Sequence, residues 1–329
     1  MELSLTTTRY DVLGIGNAIV DVIAHADEAF LEAHNMPKAA MTLIDEDRAE
    51  AIYQAMGAGV QVSGGSAGNT IAGVASLGGT AAYIGKVKQD VLGDVYRHDM
   101  RGIGVAFDTP AATDGPATAR CLILVTSDAQ RTMNTYLGAC VNLGPDDIDE
   151  ALIAEASIVY LEGYLFDKDL AKAAFRKAAA AAHKASRKVS LTLSDSFCVD
   201  RHRDDFLALI DTDIDILFAN DDEIRSLYQT DDIEAAAAKV AKSVDIAAIT
   251  LGAEGCLIVG NGETIRVPAA KANQVIDTTG AGDLFAAGFL FGVARGLPLA
   301  ECGRLAGIAA AEVISHFGPR PETPLRELI

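Results

Sequence analysis

The sequence predicts an α/β protein in which helices cover both faces of a mainly parallel sheet. Short apolar runs at 157–161, 189–193, 214–219, 247–251 and 255–259 have the length and near-continuous hydrophobicity of strands buried on both sides. Ala-rich helical stretches such as 170–188 separate several of them, giving the rhythm of βα units. With 329 residues, half of them hydrophobic and 22% charged, the chain can bury a large core. No repeat or linker-like stretch divides it, so residues 1–329 read as a single domain.

The elements follow in order. Residues 10–16 form a short β-branched run ending in glycines, a buried first strand. Gly14-Ile-Gly16 is not a dinucleotide fingerprint. Ile19 stands where the third glycine is due, and Asp21 arrives too early for a ribose contact about twenty residues on. Residues 17–24 alternate well enough for a second strand, with Asn17 and Asp21 on one face. Such a pair suits hydroxyl recognition, since a carboxylate can accept two hydroxyl protons, and it equally suits a solvated strand edge. Residues 28–35 read as a short helix, 40–44 as a strand, and 45–56 as a helix with an acidic first turn.

At 63–79 a glycine-rich turn enters a small-residue helix, without the Gly-Lys-Ser/Thr of a Walker A loop. Gly64 and Gly65 let backbone amides approach a neutral hydroxylated ligand, with Asn69 adding a side-chain amide; Gly68 and Gly73 fit tight helix packing. Residues 81–85 read as a strand and 90–102 as a helix with a glycine stop. Residues 105–108, 118–127 and 131–137 read as strands or strand-plus-turn separated by hairpin signals. Their antiparallel texture suggests an inserted lid.

Asp277-Thr-Thr-Gly-Ala-Gly-Asp283 runs straight into the apolar helical segment 284–294, which puts Asp283 at a helix N-terminus. Gly280, Ala281 and Gly282 supply successive amides for an anion nest. A carboxylate beside such a nest can take a proton from a hydroxyl while the nest holds a transferring phosphoryl group. A plain helix cap after a turn is the competing reading, and so many Thr, Gly and Asp in seven residues favour chemistry. Asn220-Asp-Asp-Glu223 follows the run 214–219 and suits either a water-coordinated Mg²⁺ near phosphates or a capped helix start. Thr250-Leu-Gly-Ala-Glu-Gly255 offers backbone contacts to a nucleotide or a simple hairpin turn.

A formal charge of −19 argues against a nucleic-acid or anionic-membrane partner. Five scattered cysteines without CxxC spacing read as reduced, buried thiols and imply no zinc site. Residues 1–10 show no secretory signal, and the longest apolar run is too short to span a bilayer, so a cytoplasmic protein is expected.

Together, Gly64-Gly65 with Asn69, Asn220-x-x-Glu223, Thr250-x-Gly-x-x-Gly255 and the terminal Asp277–Asp283 block resemble the ribokinase/PfkB carbohydrate and nucleoside kinase family, in order and spacing, over nearly the whole chain. Gly16-Asn17-Ala-Ile-Val-Asp21-Val-Ile-Ala24, with Asp27 and Phe30-Leu31, looks most like its adenosine kinases. Arg131-Thr-Met-Asn-Thr-Tyr-Leu137 resembles their Arg-Ser-Leu-type lid segment but departs from it at Thr135 and Tyr136. The resemblance implies a ribokinase-like three-layer αβα sandwich with a small β-sheet lid from about 17–45 and 103–137. It implies ATP and Mg²⁺ as cofactors, and in-line transfer of the γ-phosphoryl group to a primary hydroxyl.

By matching position, the resemblance makes Asp283 the base, Gly280, Ala281 and Gly282 the anion hole, and Arg131 a lid cation for the γ-phosphate. Asn17, Asp21, Gly64, Gly65, Ser66 and Asn69 would bind the acceptor. Leu43, Met133, Leu137 and Tyr164 would wall a base. Asn220, Thr250, Gly252 and Gly255 would hold the nucleotide, and Glu223 the metal's water shell. The expected partner is a small-molecule nucleoside or sugar, with the chain a monomer or homodimer. Three readings stay open: an adenosine-type nucleoside kinase, a sugar kinase for ribose, fructose or a ketoacid sugar, and a binding protein or dehydrogenase on the same fold. The intact Gly-Ala-Gly-Asp weighs against the third, and the apolar lid residues favour the first.

Overall fold

A computed structural model describes residues 8–128 and 130–329; most of the stretch read as lacking a signal lies outside them. The chain opens with β1 (Tyr10–Ile15), β2 (Ile19–His25), α1 (Glu28–Ala33), β3 (Met41–Leu43), α2 (Glu46–Ala55), β4 (Val60–Gly64) and α3 (Ser66–Ser76). It continues through β5 (Ala81–Ile84), α4 (Val91–Gly102), β6 (Ala119–Val125), β7 (Arg131–Tyr136), α5 (Glu150–Ala154), β8 (Ala156–Glu162) and α6 (Asp169–Lys184). Next come β9 (Lys188–Thr192), α7 (Ser196–Asp213), β10 (Ile216–Asn220), α8 (Asp221–Tyr228), α9 (Ile233–Val240) and β11 (Ile246–Thr250). The hairpin β12 (Cys256–Gly260) and β13 (Glu263–Val267) precedes α10 (Ala281–Ala294) and α11 (Leu299–Val313). Local chemistry starts several helices. Asp27, Asp45 and Asp90 each cap one by accepting from the amide three residues on, in Phe30, Arg48 and Gly93.

The large sheet has eight strands in the order β13-β12-β11-β10-β9-β8-β1-β5. Pairing is parallel from β5 to β11, and β12 and β13 add an antiparallel edge. Residues alternate between two cores. Val12, Ile158, Tyr160, Ile216, Phe218 and Ile258 pack with α3, α10 and α11 on one face. Leu13, Val159, Leu191, Leu217, Ile249 and Leu257 pack with α6 to α9 on the other. This is the expected three-layer α/β architecture. It sets the ends of β1, β8, β10 and β11 along one edge of the sheet, where ligands of open α/β proteins bind.

A second sheet orders its five strands β3-β7-β6-β2-β4. It is more mixed than its sequence texture suggests: β2 runs parallel to β6 and β3 to β7, while β6–β7 and β2–β4 are antiparallel. Val20, Val22, Leu122 and Leu124 point into the core. The register Asp21↔Cys121↔Thr135↔Leu43 lines up the opposite face, with Met133↔Met41 beside it.

Three expectations need correction. Residues 105–108 are no strand: only Ala106 bridges to Ala82, and Phe107 turns into an aromatic cluster with Tyr83 and Tyr96. Pro110, which has no amide to donate, follows shortly after. Ser63 and Gly64, read as the start of a glycine-rich turn, instead close an outer strand of the small sheet, Val60–Gly64. Asn17 does not share a strand with Asp21, because β2 begins at Ile19 and Asn17 lies in the preceding loop.

Candidate active site

Two helix N-termini meet at Asp283. Gly280, at φ +82°, caps α10, and its α-carbon faces Pro319: a Cβ there would lie 2.7 Å from Pro319 Cα. Ala281 donates its amide to the Thr278 carbonyl at 3.2 Å, while the space above Gly282 is open. Gly65 caps α3 at φ +84°, with no room for a Cβ against the Asn17 carbonyl. From the first turns of α3, Ser66 Oγ donates to Asp283 Oδ1 at 2.6 Å and Asn69 Nδ2 to Oδ2 at 3.0 Å. The helices pack tightly enough that a Cβ on Gly73 would sit 2.6 Å from Ala287 Cβ, as sequence reasoning anticipated for that glycine. Burial pushes the Asp283 carboxyl up to about 6, against the Ser66 and Asn69 hydrogen bonds and the Arg320 charge, which favour the anion.

Asp21 faces this point from β2. A Cβ on Gly64 would come within 2.4 Å of Asp21 Oδ2, so that glycine makes room for the carboxylate. Burial pushes Asp21 up to about 6 as well; Arg320 and Arg131 pull it down and Asp283 adds to the rise. Arg131, the first residue of β7, is held by the carboxylate of Asp277 at the head of the terminal motif, both side chains being nearly buried. Asp277 also accepts from the amides of Thr279 and Gly318. Burial works to raise its pKa, but these hydrogen bonds and Arg131 outweigh it and leave the group below its ordinary value.

Two site residues escaped the sequence reading. Glu162, at the end of β8, is 1% exposed and accepts from Asn17 Nδ2 (2.7 Å), the Asn17 amide (3.3 Å) and the Ala67 amide (2.8 Å). Burial pushes it up to about 7 against those donors. It holds the loop before β2 against α3 and, among the described residues, leaves Asn17 Oδ1 buried without a partner, as is Asn69 Oδ1. Its only signal was an acidic residue closing an apolar strand. Arg320 had none beyond a Gly-Pro-Arg-Pro run near the chain end.

The apolar candidates are placed unevenly. Met133 and Leu43 lie on the Asp21 face of the small sheet, Leu43 57% exposed and Met133 partly so. Leu137 follows β7, and Tyr164 follows β8 with its hydroxyl donating to the Ser194 carbonyl. Asn220 and Thr250 are register partners at the ends of β10 and β11, and Gly252 and Gly255 shape the β11–β12 turn. That turn is a hairpin, and Gly255 at φ +97° packs against Val267 O, where no Cβ fits. Asn220 and Glu223 form a reciprocal capping box in which both Glu223 oxygens accept from Asn220. The helix-start reading therefore accounts for that pair locally.

Residues 38–326 match the family described as pfkB family carbohydrate kinase. The chain belongs to the pfkB family. Like other pfkB kinases it is a phosphotransferase that uses an alcohol group as acceptor. It is 52% identical to the solved adenosine kinase from Sinorhizobium meliloti, covering 97% of this chain and 98% of that one, with a TM-score of 0.89. It is 51% identical to a probable sugar kinase from Rhizobium etli CFN 42, at 98% coverage of both chains and the same TM-score. Among curated relatives, Adenosine kinase 1 of Arabidopsis thaliana is 25% identical, over 95% of this chain and 96% of its own. For a pfkB kinase the arrangement is chemically coherent. A carboxylate with a pKa of about 6 is mostly ionised at neutral pH, and α10 points its N-terminus into the space beside it.

Proposed function

We propose that this pfkB kinase transfers the γ-phosphoryl group of ATP to the primary hydroxyl of a nucleoside, adenosine first, forming AMP. The observation that carries the choice is the Asp21 face of the small sheet. There a carboxylate for hydroxyls continues along one register into Thr135 and Leu43, with Met133 and Met41 alongside. A purine offers a flat apolar face to such a surface and a free sugar does not. The S. meliloti adenosine kinase supports the same reading. The R. etli relative, named as a probable sugar kinase, favours the sugar reading and makes it the alternative.

In this reading Asp283 takes the hydroxyl proton, the N-terminus of α10 at Gly280, Ala281 and Gly282 holds the transferring group, and Arg131 leaves Asp277 to meet the γ-phosphate. Asn17, Asp21, Gly64, Gly65, Ser66 and Asn69 frame the acceptor, whose hydroxyls satisfy the orphaned Asn17 and Asn69 oxygens. Thr250, Gly252, Gly255 and Asn220 border the nucleotide. The small sheet closes as a lid on a single kinase domain, with Leu137 and Tyr164 beside the base. Catalysis then rests on positioning and electrostatics. Both Glu223 oxygens accept from Asn220 and, among the described residues, no group of three metal-ligating side chains forms, so Glu223 would meet Mg²⁺ only through the ion's water shell. Mg²⁺ suits this site only as an ion carried on the nucleotide phosphates with its own waters. The five buried free cysteines support a cytoplasmic setting; no described helix is long and apolar enough to cross a membrane. Steady-state kcat/KM for adenosine, ribose and fructose tests the proposal. Adenosine should lead by orders of magnitude, and a faster free sugar with no adenosine turnover would overturn it.

A further inference from the structure

The segment after α11 runs back across the site as a strap. Glu312, near the end of α11, accepts from the amides of Glu322 (3.0 Å) and Thr323 (2.8 Å) through Oε1 and pairs with His316 through Oε2. The Gly318 amide donates to Asp277, Pro319 abuts Gly280, and the Leu325 amide donates to Ser76 Oγ as its side chain is fully buried. Between these anchors Arg320 enters the molecule. Its Nη2 donates to the Ser63 carbonyl at 2.8 Å and to Ser63 Oγ at 3.3 Å, on the strand beside Asp21. Nε is buried and, among the described residues, has no hydrogen-bond partner. A Cβ on Gly68 would meet this guanidinium at 3.7 Å and the Tyr96 hydroxyl at 2.8 Å, so helix α3 leaves a groove for it.

We propose that Arg320 is a positioning residue: the fixed counter-charge that the strap delivers to the Asp21 and Asp283 carboxylates, through which it acts on acceptor binding and on deprotonation. The strap explains why the charge comes from a distant part of the chain. A cation fastened at four places cannot swing out to follow a phosphate, so it serves the carboxylates and leaves the mobile role to Arg131. Two acids sharing one cleft disfavour each other's ionisation, and a fixed cation lets both stay charged at once. Both feel Arg320 as an influence favouring the anion, and for Asp21 it is the largest one opposing burial. The other groups facing the three are Arg131 on β7, Cys121 on β6, Tyr83 on β5, Tyr96 on α4 and Ser66 and Asn69 on α3. Beyond these, Tyr160 and Glu162 on β8 and Tyr164 after it face Asp283. None of them is a cation except Arg131, which Asp277 already holds.

The acceptor-binding and base roles rest on the proposed function, so the test has one arm that needs no turnover. In Arg320→Met, the ¹³C titrations of the Asp21 and Asp283 carboxyls, assigned with Asp21→Asn and Asp283→Asn, should both move up by about one pH unit. Arg320→Lys should keep them near wild type. In the turnover arm, the acid limb of kcat/KM for adenosine should move up by the same amount, giving about a fivefold loss at pH 6 that grows toward tenfold below it and recovers toward pH 8. Unchanged carboxyl titrations in the Met variant, or a loss of activity uniform across pH and unrescued by lysine, would overturn the role. A protein that does not phosphorylate adenosine but shows the shifted titrations would refute the substrate and leave Arg320's role standing. If the Met variant fails to fold, the Lys variant decides: titrations displaced despite the retained charge would count against the proposal.

Discussion

In the proposed role Asp283 meets two opposed demands, a base that must ionise and a setting whose burial favours the neutral acid. Its pKa of about 6, against 3.8 for a free aspartate, records the conflict. Replacing it with Asn should cut kcat by about two orders of magnitude or more, the usual worth of a general base, while ATP still binds. The stability effect has the opposite sign. A raised carboxyl pKa means that ionisation opposes folding: the penalty is absent below pH 4, grows through pH 6 and is full above it. Asp283→Asn should therefore be more stable than wild type by about 1–2 kcal/mol at pH 8, and the gain should vanish near pH 4. Thermal melts across that range check it, and a variant less stable at pH 8 would contradict it. Asp21→Ala should raise the acceptor KM steeply with little change in the KM for ATP, since the contacts it loses are to hydroxyls. At this scale the sequence was informative where residue type and position coincide, as in Asp277-Thr-Thr-Gly-Ala-Gly-Asp283. It was silent on Glu162 and Arg320, whose partners Asn17, Ala67 and Ser63 come from distant segments.

The elements explain why the glycines matter more than their size suggests. Gly280 combines a left-handed φ with contact to Pro319, so Gly280→Ala suffers both backbone strain and a clash. It should destabilise the protein by about 1–3 kcal/mol and lower kcat by disturbing the N-terminus of α10; unaltered melting and turnover would rule out that account. Strands of the large sheet were readable because burial on both faces makes them near-continuously apolar, and 157–161, 189–193 and 247–251 fell within a residue or so of β8, β9 and β11. Elements whose signal is divided were not. β4 alternates Val60 and Val62 beside glycines that looked like a turn, and α9, capped by Asp232, is only eight residues long. The 105–108 run looked like a strand because its apolar residues alternate; Phe107 instead fills an aromatic cluster, a tertiary demand no local pattern reports.

In the whole molecule, the residues proposed to hold acceptor and phosphoryl group come from different layers: β2, β3 and β7 in the small sheet, α3 and α10 against the large one. The Arg131–Asp277 pair spans the two, linking the small sheet directly to the Asp277–Asp283 block. Met133→Asp, which puts a charge on the Asp21 face of the small sheet, should reduce kcat/KM for adenosine far more than for any sugar, and equal losses for both would remove the base from that surface. The fold class was legible because the βα rhythm is repeated many times along the chain; the acceptor was not, because the face that carries Asp21 is assembled from β2, β3, β6 and β7, strands from distant segments. The most direct measurement of the central claim is ³¹P NMR of the product formed from ATP and adenosine, with Asp283→Asn run in parallel. Wild type should convert ATP and adenosine to ADP and AMP in equal amounts, and the variant should form AMP at least about a hundredfold more slowly. No AMP from wild type, or AMP formed as fast by the variant, would contradict the account.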